Sequence, residues 1–193
     1  MWLYLLLITD LVLIGLHFLL GQNNDFYNLA NEYNLPTFYQ SIKTLLAGGL
    51  LLMVLSRRIK LKNWVIIPGF ILIYFAFDDW FAIHEAISNH LFSIAGIERR
   101  FSWIIFYLPI LLLAVFAFWK MYQKIKLNRL IMIGVFLLAL AFGLEIAEAV
   151  NHENKYIFYQ ISAEESLEMF GMTTILMAIL IKMEDQRQIQ KDT

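Results

Sequence analysis

Six stretches of the chain are almost continuously apolar: roughly Trp2 to Leu20, Ser41 to Leu55, Trp64 to Ile83, Trp103 to Met121, Leu130 to Val150 and Ser166 to Ile181. About 20 apolar residues, rising 1.5 Å each, cross the ~30 Å hydrocarbon core of a bilayer as a helix. The pattern predicts an all-α polytopic membrane protein, a bundle of six transmembrane helices forming one domain over residues 1–193 with a tail from about 183. The second and sixth windows are the short ones, which fits less tilt or extension into the interface. The first carries Asp10, has no basic residue ahead of it and ends in Gly21-Gln22-Asn23, so it reads as a retained helix, not a cleaved leader.

Composition agrees with the pattern: 60% of residues are hydrophobic and 16% aromatic, with a mean hydropathy of +0.64, well above soluble usage. A net charge of -1 without a long basic run excludes nucleic acid as a partner and leaves membrane lipids, with self-association open. The absence of cysteine removes disulfides, thiolate metal sites and cysteine nucleophiles. Basic residues set the orientation. Arg57, Arg58, Lys60 and Lys62 follow the second window, Lys120, Lys124, Lys126 and Arg129 the fourth, and Lys182, Arg187 and Lys191 the sixth. The positive-inside rule then puts both termini in the cytoplasm of a bacterial-type cell membrane.

What the apolar windows do not exclude is more telling. Acids and histidines interrupt four of them: Asp10 and His17, Asp78 through Glu85, Glu145 through His152, and Glu164 through Glu168. An ionised group in hydrocarbon costs several kcal/mol unless it is paired, protonated or bound to a metal. Counted at 1.5 Å per residue from the cytoplasmic ends, Asp78, Glu145, Glu168 and His17 all fall ~20 Å up, in the outer half of the core. His84, Glu85, Glu148, His152, Glu164 and Glu165 stack above them, and Asp10 lies deeper. At ~100° per residue, Glu145, Glu148 and His152 share one stripe, Asp10 eclipses His17, and Asp78 eclipses Glu85 with Asp79 and His84 on its flanks. The expectation is an outward-open funnel of acids.

Acid stripes from several helices, with histidines added, suit one or two divalent ions: zinc, iron or manganese, or calcium if carboxylates act alone. Asp78, His84, Glu85, Glu145, His152, Glu168 and His17 are the candidate ligands, and Glu148 or Glu165 the general base of a hydrolase acting on a lipid or lipid-linked substrate. Plainer readings stand beside these. Glu164 and Glu165 can cap the sixth helix, Asp10 and His17 can be a packing pair, and Trp64, Trp103 and Tyr107 can anchor the interface. Arg99 and Arg100 either neutralise the acids or bind an anionic headgroup. The segment Asn23 to Gln40 reads as an interfacial lid broken by Pro36.

Asp78-Asp79-Trp-Phe-Ala-Ile-His84-Glu85, Asn34-Leu-Pro36-Thr37-Phe-Tyr-Gln-Ser41 and Glu164-Glu165-Ser-Leu-Glu168-Met-Phe-Gly171-Met resemble a pattern of multi-pass bacterial membrane proteins, a likeness that covers most of the chain and carries no activity with it. The chain is also similar to membrane-embedded ceramidase-like hydrolases, which place zinc inside a helical bundle, although it has no His-x-x-x-His pair. Beside the metal hydrolase stand a proton or cation channel and an acid-sensing assembly subunit. Sparse polar residues in the cytoplasmic halves argue for a one-sided site over a conduction path.

Overall fold

Backbone amides inside apolar windows have no water to bind, and the chain satisfies them in helices. The computed structural model describes residues 2–29, 33–55, 63–95, 99–125, 128–150 and 156–191, and among these it is all-α. The helices are α1 (Trp2–Leu16), α2 (Leu35–Leu50), α3 (Asn63–Phe81), α4 (Ile83–Ala95), α5 (Arg99–Ile125), α6 (Leu130–Val150) and α7 (Ile157–Lys191). Wide π turns extend α1 through His17–Gly21 and α2 through Leu51–Leu55, and a 3-10 turn covers Asp25–Tyr27.

Five helices are long and apolar enough to cross a membrane, with candidate spans Tyr4–Gly21, Trp64–Phe81, Ser102–Gln123, Leu130–Val150 and Ile157–Asp185. The second window falls short because α2 carries Thr37, Gln40, Ser41, Lys43 and Thr44. All but Thr37 are buried, so its polar face turns into the bundle. Large apolar side chains such as Leu11, Phe70, Leu112, Phe116 and Phe136 stand exposed on the outside, the distribution a lipid solvent favours.

Two helix pairs pack through glycine. A Cβ added at Gly134 of α6 would lie 2.7 Å from the Gly171 carbonyl oxygen and 2.6 Å from Ile175 of α7; one at Gly48 of α2 would lie 2.8 Å from the Gly69 carbonyl oxygen of α3. Small residues at such crossings let backbones approach where no hydrophobic effect drives helices together. Between these pairs Leu51, Leu72, Phe118, Met121, Ile131, Ile175 and Ile179 form the main core.

Several boundaries differ from the sequence pattern. The Asn34 side chain accepts the Thr37 N–H at 2.8 Å and starts α2 before Ser41. Pro36 therefore sits in a first turn, where its missing N–H is harmless, and opens the helix instead of breaking a lid. The third window breaks at Ala82, which has φ 48, a costly conformation for a residue with a Cβ. The segment after it continues as α4 to Ala95. The last helix begins at Ile157, so Glu164 and Glu165 lie about two turns inside it and do not cap it. The same helix runs to Lys191 through most of the expected tail.

Candidate functional site: an acid-headed chamber in the bundle

The break at Ala82 is where the site starts. Asp78 Oδ1 accepts the His84 N–H at 2.8 Å, capping the chain as it re-enters a helix, and also accepts the Tyr107 hydroxyl at 2.7 Å. Since Tyr107 donates to Asp78, Tyr74 donates to Tyr107 across 2.9 Å. His84 Nδ1 stands 3.3 Å from Asp78 Oδ2. Asp78 is thus fixed by α3, α4 and α5 at once.

Asp78 lines a cavity of about 250 Å³ together with Asp79, His84, Glu145, Glu164, Glu165 and Glu168. The funnel of acids expected from depth and phase has its counterpart here: six carboxylates and one imidazole from α3, α4, α6 and α7 face one space. No Lys or Arg is among the described residues lining it. The cavity then changes character along four of its walls. On α3 the lining passes from Asp78 to Phe75, Leu72 and Ile71; on α6 from Glu145 to Phe142, Leu138 and Val135; on α7 from Glu168 to Met169 and Met172. On α5 it passes from Trp103 and Tyr107 to Leu111, Ala114, Val115 and Phe118. Ten residues of α6, from Glu145 to Val135, put the length of this descent at ~15 Å. Gln40 and Thr44 of α2 complete the wall.

Two oxygens in this lining are orphaned. Gln40 is 8% exposed and Glu164 7%, and Gln40 Oε1 and Glu164 Oε2 are buried with no hydrogen-bond partner. A buried acceptor left unmade forfeits its desolvation energy, about 1–3 kcal/mol.

Other candidate residues go elsewhere. Asp10 and His17 do not pair with each other. Asp10 Oδ1 takes Lys43 Nζ at 2.8 Å, and its Oδ2 takes the Thr173 hydroxyl at 2.6 Å. Lys43 gives its remaining protons to the Met169 carbonyl and to Thr173 Oγ1, each at 2.9 Å, and its ammonium lies 4.6 Å from the Tyr39 ring centre. This three-helix network is buried throughout. His17 Nδ1 accepts the Leu29 N–H at 3.1 Å, so its Nε2 donates to Ser162 Oγ across 2.7 Å, and the ring stacks on Phe158. With both nitrogens engaged, His17 ties the end of α1 to α7. Glu85 is exposed and Glu148 half-buried, and neither lines the cavity. The break at Ala82 is the reason for Glu85: the seven-residue phase linking it to Asp78 assumes an unbroken helix. Tyr107 and Trp103 line the chamber instead of anchoring an interface. His152 lies outside the described residues, as do the side chains of Arg99 and Arg100, which open α5.

Sequence reasoning missed Lys43, Gln40 and Tyr107. Lys43 left a signal: it is the one cation inside the second window, opposite an otherwise unexplained Asp10. Gln40 and Tyr107 left none, since an amide near a helix start and a tyrosine near a span end are ordinary.

Among the described residues no three His, Asp or Glu side chains gather closely enough to hold a metal ion. The carboxylates line a volume instead of converging on a point, an arrangement that does not fit a bare divalent cation needing several ligands within 2.0–2.6 Å.

Residues 4–183 match the model of a domain of unknown function, DUF8692. Neither a curated protein nor a solved structure matches the chain.

Proposed function

The chain belongs to the DUF8692 family, and from its chamber we propose that it is a membrane-embedded binding protein that takes up an organic cation at a one-sided intramembrane site. One observation carries this reading: Asp78, Glu145, Glu164, Glu165 and Glu168 share a cavity in which no Lys or Arg is among the described lining residues. Such a group is costly in a membrane until positive charge neutralises it. A cation larger than a metal ion meets carboxylates spread over three helices better than an ion that must bond them at one centre. The metal-dependent hydrolase keeps its candidate base Glu165 in the chamber, but it lacks a three-ligand set among the described residues.

The lower end of the chamber argues against a conduction path. Below Phe118, Val135 and Met172 the bundle is filled by Met121, Ile131, Ile175 and Ile179. With the orientation read from the lysines and arginines, the acid end faces the outer side of a bacterial-type cell membrane, and the ligand enters from there.

Equilibrium binding to protein in lipid nanodiscs tests the reading. Spermidine, which is cationic at neutral pH, is expected to bind wild-type protein and to bind the Glu145→Gln and Glu168→Gln variants about tenfold more weakly each. No cation binding, or binding indifferent to both substitutions, overturns it and leaves protons as the neutralising charge.

A further inference from the structure

The geometry points to a single-chain amphiphilic amine as the ligand: a primary ammonium held among the acids at Glu164 and Gln40, with its hydrocarbon chain laid into the slot below. The inference rests on the cation reading and narrows it by two features which that reading does not use. The first is the pair of orphaned oxygens. Gln40 Oε1 and Glu164 Oε2 are both acceptors, both more than nine-tenths buried, and both in the lining of one cavity. They sit on α2 and α7, which are in contact. What they lack is a donor, and an ammonium carries three N–H groups on one positive centre, as Lys43 shows one turn along α2. A quaternary ammonium has the charge but no N–H to give, so it fits less well.

The second feature is the change of lining along the cavity. The walls of α3, α6 and α7 are acidic at one end and aliphatic or aromatic at the other, over ~15 Å of helix. A small amine or a polyamine leaves the apolar part to water, which gains nothing there, whereas a hydrocarbon chain covers it at about 25 cal/mol per Å² of apolar surface. Leu111 and Val115 of α5, Leu138 of α6 and Met172 of α7 line this part of the cavity. The acid end also excludes the commonest amine-bearing lipids. A phospholipid brings a phosphate next to its ammonium, and among the described lining residues no Lys or Arg offsets it.

The test compares dodecylamine, ethylammonium and dodecanol on full-length protein in nanodiscs, with empty nanodiscs subtracted for partitioning into lipid. Dodecylamine is expected to bind at least about tenfold tighter than either of the others. Glu164→Gln and Gln40→Leu should each weaken it by about tenfold, and so should Val115→Phe or Leu111→Phe, which fill the slot. Two variants at each end keep the test decisive if one fails to fold. Ethylammonium binding as tightly as dodecylamine overturns the chain and leaves the cation reading intact. Dodecanol binding as tightly as dodecylamine overturns the ammonium. Binding of none of the three, together with no binding of spermidine, overturns the cation reading itself.

Discussion

At the scale of single residues, Lys43 makes the clearest prediction. It is 1% exposed and Asp10 0%, and every proton of the ammonium has a partner. Removing one member of a buried ion pair leaves an uncompensated charge, at a cost of about 3–5 kcal/mol, while replacing both with apolar groups of similar size is often neutral. Lys43→Met and Asp10→Asn should therefore each lower the melting temperature of detergent-solubilised protein sharply. The double substitution Lys43→Met with Asp10→Leu should recover most of the loss. A double variant as unstable as the sum of the two singles would show that the pair does more than neutralise itself. Asp10 could be read from the sequence as an anomaly and Lys43 as the one cation in the second window, but their pairing could not, because it joins residues 33 apart with Thr173 of α7. Phase along one helix says nothing of which neighbour it meets.

Elements were more legible than residues, and their errors share a cause. Hydropathy found α1, α3, α5, α6 and α7 because their lipid-facing sides are apolar whatever their inner sides hold. It shortened α2 and α7 where polar inner faces interrupt the run, at Gln40 to Thr44 and at Glu164 to Glu168. It missed the break at Ala82 because no glycine or proline marks it; the cap from Asp78 to the His84 N–H is a tertiary device. Glycines, by contrast, carry a prediction that belongs to helix pairs. Gly134→Leu places bulk where even a Cβ would lie 2.6 Å from Ile175 and 2.7 Å from the Gly171 carbonyl oxygen. It should separate α6 from α7, and with them the walls bearing Glu145 and Glu168. Both the melting temperature and spermidine binding should fall. The same change at Gly143, where an added Cβ meets nothing within 4 Å, should change the stability by no more than about 0.5 kcal/mol.

For the whole molecule, the acid cluster was anticipated because depth and phase are one-dimensional properties, and helices of one bundle share a common axis. Its lower, apolar half was not, because Leu111, Val115, Leu138 and Met172 look in sequence like any core. The network around Lys43 has a further consequence, and it concerns the order in which the chain is made. A lysine inside a nascent helix resists entry into the bilayer by about 2.5–3.5 kcal/mol. Asp10 is already present when α2 emerges, but the Met169 carbonyl and Thr173 arrive only with α7, more than a hundred residues later. Until then two of the three acceptors of Lys43 are still unsynthesised. A chain stopped after Val150 should therefore be degraded or extracted as aggregate, and co-expression of a segment spanning Ile157–Lys191 should restore a monodisperse protein; a stable truncated chain would refute this. Helix α7, translated long after α2, thus completes the contacts that hold α2 in the bundle.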